Sequence, residues 1–171
     1  MQVLIVSDSH GSTTELEKVL HKHQDDIDYF IHCGDSELEL EHPIIKKFHT
    51  VKGNCDFGQP FPEEIVKKIG NHTIFVTHGH HYSVKSNLMR LSYKAEEISA
   101  DIICFGHSHQ LGAEMIQGKL YINPGSVRLP RGRIERTYVI LDIQDELYQL
   151  KVFDIEKGEI TELSQVFPPS N

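Results

Sequence analysis

Five short stretches, LIVSDSH, FIHCGD, VKGNCD, IFVTHGH and IICFGHSH, share one design: a strand-like run stops at turn residues and then presents Asp, Asn or His. A short continuous apolar run bounded by turn signals suits a strand covered on both faces, as in a sheet flanked by helices. This constrains the chain to an α/β arrangement in which Asp8, His10, Asp35, Asn54, His78, His80, His107 and His109 all follow strands. In open α/β sheets ligands bind beyond the carboxyl ends of the strands, so these side chains are expected on one rim.

The remaining segments supply the frame. Ser12 with Glu15 makes a capping-box pattern, and Leu16, Val19 and Leu20 recur at helical spacing, which predicts a helix over 13–23. DYFIHCG reads as a second buried strand, ELEHPIIKKF as a short helix near Pro43 and HTVKG (49–53) as a brief strand, giving the order βαβαβ. EEIVKKIG and HTIFVTHG form a hairpin around the GN turn at 70–71, and Leu88, Leu91, Ala95 and Ile98 mark one face of a helix over 86–99. Beyond residue 112 the chain turns to β: GAEMIQG, KLYINPG, RTYVILDIQ and ELYQLKVFDI are strand-like, and the tail SQVFPPSN reads as frayed or loosely docked.

With 171 residues, 39% hydrophobic and 25% charged, the expectation is one globular domain spanning 1–171. A net charge of −8 argues against tracking duplex nucleic acid, which needs Lys and Arg on phosphates. The cluster RLPRGRIER is the local exception, read first as a solvated loop and second as a substrate-facing patch. MQVLIVSDSHG has no basic leader and no run reaches the length of a membrane span, so a cytoplasmic protein away from membranes is expected. The three cysteines, Cys33, Cys55 and Cys104, lack a metal-knuckle spacing and are expected to be free thiols.

Residues at i and i+2 of an extended segment point to one side, so Asp8 with His10, and His107 with His109, are each expected to aim two donor atoms at one locus. Imidazole, carboxylate and amide oxygen suit Mn, Zn, Fe, Ni or Mg rather than a thiolate-selected ion. Taken singly, each motif also has a bland reading: D-x-H as a turn and helix cap, HGH as a hydrogen-bonded core histidine. The ordered set favours the metal reading.

That order, D-x-H, GD, GN, H-G and G-H-x-H, resembles the calcineurin-like metallophosphoesterase superfamily. SDSHG, HCGDSE, VKGNCD, VTHGH, CFGHSH and NPGSVRLPR are most similar to its small bacterial and archaeal phosphodiesterases of the YfcE and YsnB type. The resemblance implies an α/β four-layer αββα sandwich and a binuclear centre of two divalent metal ions, Mn first among them. It makes Asp8, His10, Asp35 and His109 the ligands of one ion and Asp35, Asn54, His78 and His107 those of the other. It implies hydrolysis of a small phosphoester, a phosphodiester first, by a metal-bridging hydroxide attacking in line. A non-catalytic metal-binding scaffold on the same fold and a phosphomonoesterase remain open, as does a homo-oligomer built on the C-terminal β region.

The sequence departs from the family's pattern at the leaving-group acid. Many relatives read GNH with an acidic partner after the GD motif; here Cys55 and Leu38 occupy those positions. Aryl phosphodiesters, whose leaving group needs little protonation, are therefore the expected substrates. His80 is the candidate substitute acid, with a hydrogen bond to a neighbouring carbonyl as its bland alternative. Cys55 is read as a packed residue rather than a nucleophile, Arg128 and Arg131 as weaker candidates for a substrate phosphate, and His32, His49 and His81 as structural or surface residues.

Overall fold

The computed structural model describes residues 1–169. Its elements, in chain order, are β1 (Gln2–Val6), α1 (Thr13–His23), β2 (Tyr29–His32), β3 (His49–Thr50), β4 (Glu64–Ile69), β5 (His72–Thr77), α2 (Met89–Glu97) and β6 (Ile102–Cys104). β7 (Leu111–Ile116), β8 (Lys119–Pro124), β9 (Thr137–Ile143), β10 (Tyr148–Asp154), β11 (Gly158–Glu159) and β12 (Gln165–Phe167) complete the chain. One sheet runs β11-β10-β9-β1-β2-β3, with β12 also on β10; the other runs β4-β5-β6-β8-β7. Each contains a parallel triplet, β1-β2-β3 and β5-β6-β8.

Alternation along the strands builds four layers. Val3 and Ile5 of one sheet meet Ile74, Val76, Ile102, Cys104, Leu120 and Ile122 of the other in a shared core. Their neighbours Leu4 and Val6 face outward onto Leu16 and Val19 of α1. Phe75, Ile103 and Tyr121 face the opposite way, onto Leu91 and Ala95 of α2. Each such fully buried side chain contributes about 1.5–3 kcal/mol. This is the αββα sandwich, and it explains why the central strands read as unbroken apolar runs.

Four local expectations change. The segment around Pro43 forms only a 3-10 turn, Ile45–Lys47, because Pro43 restricts the residue before it and Phe48 returns at once to extended backbone. The helix expected over 86–99 starts at Met89, whose N–H is taken by Asn87 Oδ1 at 3.0 Å, and ends where Ser99 turns left-handed, φ 51°. Ser12 stands at the head of α1 but its hydroxyl meets the Glu15 carboxylate instead of a backbone N–H. Glu15 in turn accepts Arg136 Nη1 at 2.8 Å, so the capping box is replaced by a tie to the loop before β9. In the tail, Gln165–Phe167 pairs with β10 through Leu150↔Gln165 and Tyr148↔Phe167, while residues 170–171 of that stretch lie outside the described residues.

His32, at the end of β2, is a structural residue. It has no exposed surface; its Nδ1 accepts the Gly34 N–H at 3.2 Å and its Nε2–H then donates to Ser9 Oγ at 2.9 Å. Both bonds need the neutral ring, and burial holds its pKa down to about 4. An unfolded histidine takes a proton near 6.5, so between that pH and about 4 the unfolded chain binds more protons and stability falls as pH falls. The contribution at stake is about 3 kcal/mol. His32→Gln keeps a neutral donor and acceptor, and its urea midpoint is expected to fall less steeply than wild type's from pH 7 to 4. Parallel pH profiles would count against this role.

Candidate metal centre

Both parallel triplets deliver their carboxyl ends to one edge, and backbone bonds stitch the exits together there. Asp8 N–H reaches the Gly34 carbonyl at 3.1 Å, His10 N–H the Asp35 carbonyl at 3.0 Å, and Gly106 N–H the His78 carbonyl at 3.1 Å. Asp8 and His10 do converge, for a different reason than the expected extended segment, whereas of His107 and His109 only His109 joins them. Asp8, His10, Asp35, His107 and His109 all sit in left-handed backbone, φ 43° to 67°. For residues other than glycine this costs about 1–3 kcal/mol each and collects where surrounding structure imposes it. Gly53 and Gly106 serve close approach: a Cβ on Gly53 would overlap Asp35 Oδ1, and one on Gly106 would overlap Ser7 Oγ.

The donors meet in a buried cluster. Asp8 Oδ1 lies 3.1 Å from His109 Nε2, 3.9 Å from His10 Nε2 and 4.0 Å from His78 Nε2. His10 Nε2 and His109 Nε2 are 3.3 Å apart. His78 Nε2 lies 3.3 Å from Asp35 Oδ2 and 3.1 Å from Asn54 Oδ1. The other face of each imidazole is fixed: Nδ1–H donates to the Leu129 carbonyl from His109 and to the Cys33 carbonyl from His78, both at 2.7 Å, and to the Glu37 carboxylate from His10 at 2.5 Å. Neutral rings so held turn their Nε2 lone pairs inward, the arrangement that outer partners impose on metal-ligating histidines.

Lone pairs facing lone pairs at these distances repel unless a cation lies among them. Asp8 Oδ1, fully buried, has no hydrogen-bond donor at all, whereas Oδ2 takes Ser7 Oγ at 2.6 Å and the His107 N–H at 3.2 Å. The donor set of Asp8, His10 and His109, and that of Asp8, Asp35 and His78, therefore fit divalent cations. Electrostatics agree. Burial disfavours the Asp35 carboxylate, but bonds from His78 and from Cys55 N–H overcome it and hold its pKa well below the usual range. Burial likewise opposes a proton on His78, yet the Asp35 and Asp8 carboxylates raise its pKa, and Asp8 raises that of His109 against burial, so the carboxylates draw positive charge to the spot where the donors meet.

The other expected residues take varied places. Asn54 is exposed at the rim beside His78, while the His107 ring stands 5.1 Å from that of His78 and its nitrogens are not among the converging donors of the described residues. His80 packs 5.4 Å from His78 and 3.9 Å from His81, and its Nδ1 is buried without a partner, so the expected alternative bond to a carbonyl is not made by that atom. Cys55 is half-buried at the rim, not packed in the core, and burial with Asp35 raises its thiol pKa to about 11, against a thiolate nucleophile. Leu38 is in the core beneath α1. His81 pairs with Glu63 and His49 with Lys67 on the surface. Arg128 holds the His10 carbonyl, Arg131 N–H donates to the His109 carbonyl at 3.0 Å, and Ser126 Oγ donates to the Asp8 carbonyl at 2.8 Å, so NPGSVRLPR braces the ligand loops.

Residues 1–146 match the calcineurin-like phosphoesterase superfamily domain. The chain belongs to that superfamily. It is 47% identical to the probable metallophosphoesterase YsnB of Bacillus subtilis, over 95% of this chain and 96% of YsnB. The crystal structure of a predicted phosphoesterase from Streptococcus pneumoniae superposes with a TM-score of 0.92 at 34% identity, covering 98% and 97% of the two chains. Vps29 of Entamoeba histolytica, crystallised with Zn2+, shares the fold with a TM-score of 0.75 at 24% identity, covering 98% and 97%.

One residue of this phosphoesterase site escaped the sequence reading. Asp56, two positions after Asn54, is buried and accepts four bonds: Asp35 N–H at 2.9 Å and Gly53 N–H at 2.7 Å on Oδ2, Glu37 N–H at 2.7 Å and Ser36 Oγ at 3.2 Å on Oδ1. It locks the GD loop to the GN loop, and its signal was present in VKGNCD as a second polar residue after the turn. Asn at this position would turn an NH2 toward two N–H donors. Asp56→Asn is expected to weaken Mn or Zn binding by about 10-fold or more without touching the ion. It should also cost about 2–3 kcal/mol of stability through unpaired buried donors. Calorimetric metal titration and thermal melting check both effects; unchanged affinity would show that the loops hold each other without Asp56.

Proposed function

We propose that the chain is a two-metal phosphodiesterase, one metallophosphoesterase domain working in the cytoplasm on a small phosphoester. The observation that carries it is the buried Asp8 Oδ1 left without a donor among three inward-facing Nε2 atoms. In this reading Asp8, His10, Asp35 and His109 hold one ion and Asp35, Asn54, His78 and His107 the other. Mn is the preferred metal, with Fe, Zn, Ni and Mg as alternatives for the same donors; Zn2+ in the E. histolytica Vps29 crystal supports a divalent cation on this fold. When bound, two such cations supply Lewis acidity toward phosphoryl oxygens and lower the pKa of a water toward neutrality.

The chain's own groups prepare that chemistry. Leu129, Cys33 and Glu37 fix the orientation of His109, His78 and His10, so each ring presents Nε2 to a cation. Asp35 stays ionised and, with Asp8, offsets part of the cationic charge; about +2 is left to attract an anionic ester. Proton delivery to the leaving group is the weak point. Leu38 is core and the Cys55 thiol, at about 11, is a poor acid. His80 is the remaining donor. Burial, then His81 and His78, lower its proton affinity, which limits it and favours aryl esters that leave unprotonated.

Metal-stripped protein refilled with Mn is expected to hydrolyse an aryl phosphodiester faster than the matching monoester, and Asp35→Asn to reduce kcat/KM by about 100-fold or more. Two bound metals with no turnover of either ester would move the reading to a binding scaffold on the same fold. A second substitution addresses His80. His80→Gln is expected to slow an alkyl diester by about 10- to 100-fold and leave a nitrophenyl diester within a factor of about two. Equal turnover of the alkyl ester by variant and wild type dismisses His80 as the acid.

A further inference from the structure

Beside the rim lies a cleft of ≈ 520 Å³, within the range of small-molecule sites. It abuts the ligand loop directly: Ser108, between His107 and His109, is part of its wall, with Oγ held by Asn123 Nδ2 at 2.9 Å. Leu88, Phe105 and Tyr121 give it an apolar strip within a lining that is otherwise mostly polar. Lys85 and Arg131 also border it. The Arg131 N–H donates to the His109 carbonyl at 3.0 Å, which sets that residue at the metal end of the cleft.

The far end has the opposite character. In the β7–β8 register Gly112 faces Asn123 and Glu114 faces Tyr121. Tyr121 packs outward with Phe105 under α2, so Gly112 and Glu114 belong to that same outer face and border the cleft. At about 3.3 Å per residue, β7 carries Glu114 ~13 Å past Gln110. The cleft thus runs from the metal side, where Ser108 and Arg131 join it, past the strip of Leu88, Phe105 and Tyr121, to the Glu114 carboxylate, which can accept N–H donors.

We infer that this cleft receives the organic arm retained on phosphorus, and that the arm is a nucleoside. A nucleoside 5′-phosphate has the matching order: an anion at one end, a ring system in the middle and base N–H groups at the other. The inference rests on the phosphodiesterase reading for its reaction. That reaction balances without a further reagent: water oxygen bonds to phosphorus, the P–O bond to the aryl group breaks, and the aryloxide leaves with the electron pair while water's proton passes to solvent.

The test uses the full chain loaded with Mn, the variant Gly112→Leu and three probes. A Cβ at Gly112 meets no atom within 4 Å, so the side chain projects into open space and the strand is not strained. Calorimetry reads binding of thymidine 5′-monophosphate, and turnover compares thymidine 5′-(4-nitrophenyl phosphate) with methyl 4-nitrophenyl phosphate, which has no arm to reach Gly112. Wild type should favour the thymidine ester by about 10-fold or more in kcat/KM. Gly112→Leu should lose about 10-fold on that ester, mostly in KM, and weaken thymidine monophosphate equally, with the methyl ester within a factor of about two. If neither ester turns over but the nucleotide binds and Gly112→Leu weakens it, the cleft stands and the phosphodiesterase reading fails. No nucleotide binding, binding indifferent to Gly112→Leu, or equal loss on both esters overturns the nucleoside arm.

Discussion

A carboxylate oxygen buried against imidazole lone pairs is an arrangement that a folded chain reaches only under compulsion. Asp8 Oδ1 has no donor, yet Asp8 is held there by Ser7 and the His107 N–H on its other oxygen and by the Ser126 hydroxyl on its carbonyl. An unpaired buried polar group costs about 1–3 kcal/mol, and an uncompensated buried charge costs more. The surrounding fold must therefore supply that energy, and the two-sheet core beneath the rim is its source. The rim carries the strain of left-handed Asp and His residues because the strands under it are apolar on both faces.

The site's order was legible in the sequence because strand exits are punctuated. Glycine and polar residues must interrupt an apolar run where a buried strand ends, so IICFGHSH and IFVTHGH announce both the strand and the side chains at its exit. The bracing of the loops was not legible. Asp56 accepts from Asp35, Gly53, Glu37 and Ser36, contacts that span GD and GN loops far apart in sequence, and no local spacing rule reports them. The left-handed backbone of Asp8 and His109 is hidden for a similar reason: a single such residue leaves no periodic pattern in the chain, and glycine is the residue that most readily advertises it. The capping box failed through competition, since Arg136, remote in sequence, claims the Glu15 carboxylate.

Charge also has to be read locally. The chain carries −8 overall, a poor beginning for capture of an anionic ester. Arg128 nevertheless stands at the rim with its guanidinium on the His10 carbonyl, and the Arg131 backbone N–H is bonded to the His109 carbonyl beside it. Global repulsion is screened beyond roughly 8 Å at physiological ionic strength, whereas cations beside the centre act at short range. The arginine-rich stretch that looked like a solvated loop thus braces the ligand loops and brings the Arg128 cation to the rim.

The C-terminal strands belong to this machinery despite supplying none of the converging donors. Thr137, the first residue of β9, donates its hydroxyl to the Pro124 carbonyl at 2.7 Å and its N–H to the Ser126 carbonyl at 3.2 Å. Ser126 in turn holds the Asp8 carbonyl, and the same loop offers the Leu129 carbonyl to His109. β9 is locked between β1 and β10, with Tyr138 stacked on Phe153 at 5.2 Å and bonded to the buried His23 of α1 at 2.8 Å. Packing energy stored in that half of the sheet is transmitted through one loop to the orientation of two rim side chains. The meander after residue 112 is therefore the anchor that keeps Asp8 and His109 face to face across the site.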